Sequence, residues 1–152
     1  MNKFSQEKQS RLLELLGEEL AIFRQIRELT EKQTELLAAD ETEAFEKSLE
    51  PGQELIKKIN GLHQETDVLM QSYISFSASS GGGKIAAIET AAEQLRAAIT
   101  GCAELNDKNI STIKGMNEDN SERIGKLSLS SKSIGAYAQN IPRNPEHFDK
   151  KS

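Results

Sequence analysis

The one glycine-rich run that ends on a lysine is Gly81-Gly82-Gly83-Lys84. A phosphate-cradling loop needs a glycine five residues before the last one and a hydroxyl after the lysine. Ala78 and Ile85 stand at those positions, so the run reads as a flexible linker. The only histidines are His63 and His147, and a helical carboxylate–histidine metal motif needs Glu three residues before each. Asn60 and Asn144 are there instead. With Cys102 as the single cysteine, neither a tetrahedral zinc set nor an intrachain disulfide can be assembled. Cys102 follows Ile99 on an apolar seam and reads as a buried, inert thiol. Asp and Glu are abundant but fall on polar helix faces, and no pair stands out as a placed acid and base. These residues give no catalytic, cofactor or metal site. Tyr137, an aromatic among small residues, reads as an anchor for a partner or as an ordinary tail residue.

Composition points the same way. Aromatics make up 5% of the 152 residues and there is no Trp, which argues against an aromatic-lined small-molecule pocket. Apolar content of 36% suits long amphipathic helices, where a narrow stripe is enough. Residues 1–122 carry 13 basic and 22 acidic side chains; residues 123–152 carry 6 and 2. An acidic body with a short basic tail disfavours nucleic acid as a partner. No stretch approaches the roughly 20 apolar residues of a membrane span, and the first 16 residues lack a signal peptide's apolar run. A cytosolic protein is expected.

The elements that position these residues are helical. Leu12, Leu13, Leu15, Leu16, Leu20, Ile22, Phe23, Ile26, Leu29, Leu36 and Leu37 recur at helical spacing over residues 5–38. Asp40, with Glu43 at the capping-box position, reads as the start of a second helix. Pro51 within it predicts a kink or a break. Leu55, Ile59, Leu62, Thr66, Leu69 and Tyr73 form a heptad seam. A linker follows at about residues 75–83. The third helix is expected over residues 84–127, its seam running Ile85, Ile88, Ala92, Leu95, Ile99, Cys102, Asn106, Asn109, Ile113, Met116, Asn120. A buried Asn on such a seam costs stability and fixes register. An exposed one marks a helix leaving its bundle, the reading favoured for Asn120.

The expected architecture is all-α: a long antiparallel hairpin plus a third long helix, in a bundle domain over residues 1–127. A flexible tail over residues 128–152 has the potential to become helical on a partner. The first two helices are each about 50 Å long and the third about 66 Å, leaving an overhang of about ten residues. Ile124, Leu127, Ile134 and Ile141 share one face if the helix continues, with Leu129 nearby, although Gly125 and Gly135 disfavour continuation. Three outcomes stay open: a strip laid on a partner, a segment that folds back to finish the core, or a tail without function.

Several stretches resemble the FlgN-like flagellar export chaperones. Residues 29–40, LTEKQTELLAAD, are similar to that family's lysine-rich turn, leucine step, small residue and Asp. Thr42-Glu43-Ala44-Phe45 resembles its helix start, with Phe for Leu. Residues 53–62, QELIKKINGL, resemble its second helix. Lys132-Ser133-Ile134-Gly135-Ala136-Tyr137 resembles its short closing element. Pro51 and the triple glycine depart from the pattern. The resemblance implies a bacterial cytosolic chaperone that is not an enzyme and needs no cofactor. Its partners would be hook-associated (hook–filament junction) proteins, whose terminal helices it binds, and components of the flagellar type III export gate. By the matched element, Ile134 and Tyr137 would contact the substrate protein; Ile124, Leu127 and Leu129 join them from the overhang argument. The alternative is a non-catalytic coiled-coil adaptor that self-associates. A bundle-type di-iron protein lacks its ligand spacings. Homo-oligomerisation is left open.

Overall fold

The computed structural model describes residues 4–79, 83–116 and 121–140, with the side chains of the last segment described over 123–135. The expectations that fall on residues 80–82, Asn120, Ile141, the two later prolines and His147 lie outside the described residues. Among the described residues four helices follow in order: α1 (Gln6–Ala38), α2 (Thr42–Ser79), α3 (Ala86–Lys114) and α4 (Ser121–Asn140). Among the described residues there is no strand.

Ser5 caps α1, its Oγ accepting from the Lys8 N–H at 3.2 Å, with Glu7 in the positive first turn. The turn into α2 corrects the expectation for Asp40. This residue takes φ 57° and belongs to the end of α1. Its N–H donates to the Leu37 carbonyl (3.2 Å) and the Glu41 N–H to the Leu36 carbonyl (2.9 Å), a Schellman closure with Asp40 as the left-handed residue. Glu41 then opens α2, its carbonyl accepting from the Phe45 N–H. Pro51 does not break α2, which runs through it to Ser79, past the expected linker start at Ser75. Phe76 holds that last turn: its ring lies 6.1 Å from that of Phe4, which meets Tyr73 edge-on at 5.6 Å.

The third helix is shorter than expected. It stops at Lys114, where the Gly115 N–H turns back to the Ser111 and Thr112 carbonyls. The chain then reverses, so the expected boundary at residues 127/128 falls inside α4. A straight helix to Leu127 would leave Ile124 and Leu127 in water, forgoing roughly 1.5–3 kcal/mol for each fully buried aliphatic side chain. Reversal instead joins both to Leu37, Phe45, Leu49 and Ile113 in one apolar cluster.

α1 packs against both α2 and α3, α4 packs against α3 and α2, and the backbones of α2 and α3 stay apart. Antiparallel to α3, α4 covers only the half of the bundle holding the ends of α1 and α3 and the start of α2. At about 30 Å it is too short to span the rest, since α2 is about 57 Å long. The result is four helices at one end and three at the other. The larger core cluster runs through both halves, from Leu12, Leu16 and Phe23 to Ile59, Tyr73, Leu95 and Ile134.

Candidate partner-binding surface

The described side chains expected to meet a partner all lie on α4. Leu127 and Ile134 are buried, at 3% and 2% exposure, while Leu129 is 60% exposed. Ile124 is half-buried against the Leu37 cluster. Tyr137 lies on α4, but its side chain is outside the described residues. The overhang argument is therefore corrected: the structure takes the fold-back course, and the strip is turned inward. Leu129 alone of the described four faces water, because it sits two residues from Leu127 and so falls on the far side of the helix.

Polar side chains hold α4 in place. Asn106, 3% exposed, donates from Nδ2 to the Leu127 carbonyl (2.8 Å) and to Ser131 Oγ (2.9 Å). Ser131 donates to Asp107 Oδ1 at 2.9 Å. From α2, Gln53 Nε2 donates to the Lys126 carbonyl (3.2 Å) and Ser130 Oγ (3.4 Å). Arg123 Nε donates to Glu46 Oε1 at 2.9 Å, tying the start of α4 to α2. A crevice remains beside the docked helix, lined by Ile26, Gly52, Gln53, Leu127, Ser130 and Ile134.

Asn109, one turn on along the same buried edge of α3, faces α1. It donates to the Thr30 carbonyl (3.2 Å) and accepts from Thr34 Oγ1 (2.7 Å), fixing the register of α1 against α3. The two seam asparagines among the described residues are thus buried and bonded, Asn109 to α1 and Asn106 to α4.

Outside this surface, burial shifts the pKa of several side chains. Glu19 on α1 is 1% exposed, and among the described residues its Oε2 has no hydrogen-bond partner. Burial pushes its carboxyl up to about 7, against the opposing effect of a hydrogen bond with Thr66. His63 Nδ1 lies 3.9 Å from Glu19 Oε1, and burial pushes its pKa down. Tyr73 donates to Glu89 Oε2 (2.6 Å) and accepts from the Ile85 N–H (3.0 Å), joining the end of α2 to the start of α3. Its phenol is raised to about 12, first by burial and then by the bond to Glu89. The contact with Glu19 corrects the reading of acidic residues as solvated. Its place between Leu15 and Phe23 at steps of four was the available signal. Cys102 is fully buried, its Sγ donating to the Phe23 carbonyl (3.3 Å), and burial raises the thiol to about 11.

Among the described residues no His, Cys, Asp or Glu group comes together that could hold a metal ion, and no helix is long and apolar enough to cross a membrane. What the fold presents is a helical bundle with one short, polar-seamed helix laid over a core of three, the form of a protein that works by packing helices. The chain belongs to the FlgN family: the family model described as FlgN protein matches residues 1–137, from the start of the chain into α4 as far as Tyr137. That family is one of flagellar export chaperones. Neither the curated proteins nor the solved structures give a match.

Proposed function

We propose that this chain is the cytosolic carrier of hook-associated proteins, holding a terminal helix of its substrate and delivering it to the flagellar type III export gate. The observation that carries the reading is the family match through α4, combined with the way α4 is held. Two buried aliphatic side chains and amide bonds to carbonyls and hydroxyls secure it. In this mechanism α4 lifts from the bundle, Ile124, Leu127, Ile134 and Tyr137 form the strip on which the substrate helix packs, and Leu129, already in water on the far side of α4, makes a separate contact with the substrate. The apolar area α4 surrenders is replaced by the area it gains on the partner, so the exchange needs no nucleotide or cofactor. The adaptor reading has less support, because the seams it would use to self-associate are filled within one chain: Ile88, Leu95, Ile99 and Ile113 are fully buried.

A reversible lock tests the proposal. Asp107 and Ser131 touch across α3 and α4, so the Asp107→Cys/Ser131→Cys variant is expected to close into a disulfide on oxidation. Titrated against a terminal fragment of a hook-associated protein, the reduced variant should bind like wild type. The oxidised variant should lose most of its affinity. Failure of wild-type protein to bind any such fragment would remove the carrier reading.

A further inference from the structure

The hold on α4 is unusual in kind. Beside the buried Leu127 and Ile134 it includes two amide contacts, one buried and one nearer the surface, at places where a permanent helix seam would carry leucines. Asn106 from α3 and Gln53 from α2 reach neighbouring carbonyls, those of Leu127 and Lys126, and neighbouring hydroxyls, those of Ser131 and Ser130. These carbonyls are inside α4, so the bonds are additional to the helix's own ladder and breaking them removes none of its i→i−4 bonds. Two amides approaching two consecutive serines from different helices also define position: a slide or rotation of α4 by one residue loses both pairs.

We infer that Asn106 and Gln53 are positioning residues that keep α4 releasable, fixing its seat while it is closed and letting it go when another helix competes for its strip. The physical basis is the asymmetry between polar and apolar contacts. When α4 lifts, every amide, carbonyl and hydroxyl in the seam regains water, so each bond contributes little net hold. A leucine in the same place would be buried on closure and exposed on opening, adding to the hold with nothing to offset it. A buried asparagine in a helical seam lowers stability while setting register. Substituting Asn106 leaves no stranded hydroxyl on α4, because Ser131 still donates to Asp107. The inference rests on the carrier reading for the identity of the competing helix, but not for the release itself.

Hydrogen exchange followed by mass spectrometry on the full chain separates this role from simple structural glue, because the two predict opposite signs. If the amides are glue, Asn106→Leu loosens α4 and its backbone exchanges faster. If they keep it releasable, Asn106→Leu slows exchange over residues 124–135 by tenfold or more, while residues 92–102 stay within threefold of wild type. Gln53→Leu, at a half-buried surface position, should slow α4 in the same direction and reads the effect independently should Asn106→Leu lose helix content. The second arm is capture of a hook-associated protein's terminal fragment, which both variants should weaken at least tenfold. Exchange that is unchanged or faster in both variants overturns the inference. Slower exchange with capture equal to wild type also overturns it, since release would then not limit access. Slower exchange in a protein whose wild type captures no fragment supports the releasable seat and removes only the flagellar carrier reading.

Discussion

Glu19 makes the stability of the bundle depend on pH in a sense opposite to that of most paired carboxylates. In the unfolded chain its carboxyl has its ordinary value near 4.5; in the bundle burial raises it to about 7. Below 4.5 the side chain is neutral in both states and imposes no penalty. As pH rises from 4.5 to 7 the unfolded chain ionises first, and the fold loses stability by about 1.4 kcal/mol per pH unit. Above 7 the fold carries the full penalty, about 3 kcal/mol over the 2.5 units between the two values. Glu19→Gln keeps the shape and a donor or acceptor for Thr66, and stays neutral throughout. The variant should equal wild type at pH 4.5 and exceed it at pH 8 by about 3 kcal/mol at most. At this chain length that is a rise in Tm of roughly 6–12 °C. His63 titrates in the other sense, since its lowered pKa makes acidification below about 6.5 unfavourable. Because it lies 3.9 Å from Glu19 the two groups are coupled, so the same substitution is also made in a His63→Gln background, where the difference reads the carboxyl alone. Thermal unfolding followed by circular dichroism at several pH values from 4.5 to 8 gives the comparison. Two parallel Tm profiles, with a gap that does not open as pH rises, would refute the argument.

Other expected outcomes come from single positions. Asp40→Gly should stabilise the chain by about 0.5 kcal/mol and Asp40→Val destabilise it by about 1–2 kcal/mol, because the φ of 57° is strained for a branched side chain; urea unfolding measures both. Cys102, buried with its thiol raised to about 11, should react with a thiol reagent at pH 8 more than a hundredfold faster in guanidinium than in buffer. Leu129→Asp should leave Tm within about 2 °C of wild type, since the side chain is already in water, yet weaken capture of a hook-associated fragment about tenfold. Tyr137→Ala should weaken the same capture, read by calorimetric titration.

Local pattern determined much of this protein. The steps of three and four that run Ile88, Ala92, Leu95, Ile99, Cys102, Asn106, Asn109, Ile113 became an unbroken buried edge of α3. The missing ligand spacings around His63 and Cys102 gave no ground to expect metal or nucleophile chemistry, and the closing Lys132–Tyr137 element pointed to the family matched over residues 1–137. Periodicity along one helix is a property of neighbouring turns, so a single sequence reveals it. The direction of the chain after Lys114 was decided by tertiary structure, because a straight helix and a hairpin satisfy the same periodic pattern. The choice between them depended on whether Leu37, Phe45 and Leu49, about 75 residues earlier in the chain, offered Ile124 and Leu127 a place out of water. The same holds for Asn106, whose seam position was visible but whose partners on α4 were not, and for Glu19, whose apolar spacing said nothing of the α2 surface that closes over it. Each of these depends on a surface brought from elsewhere in the chain, and it is that surface which turned an expected exposed strip into the covered one found here.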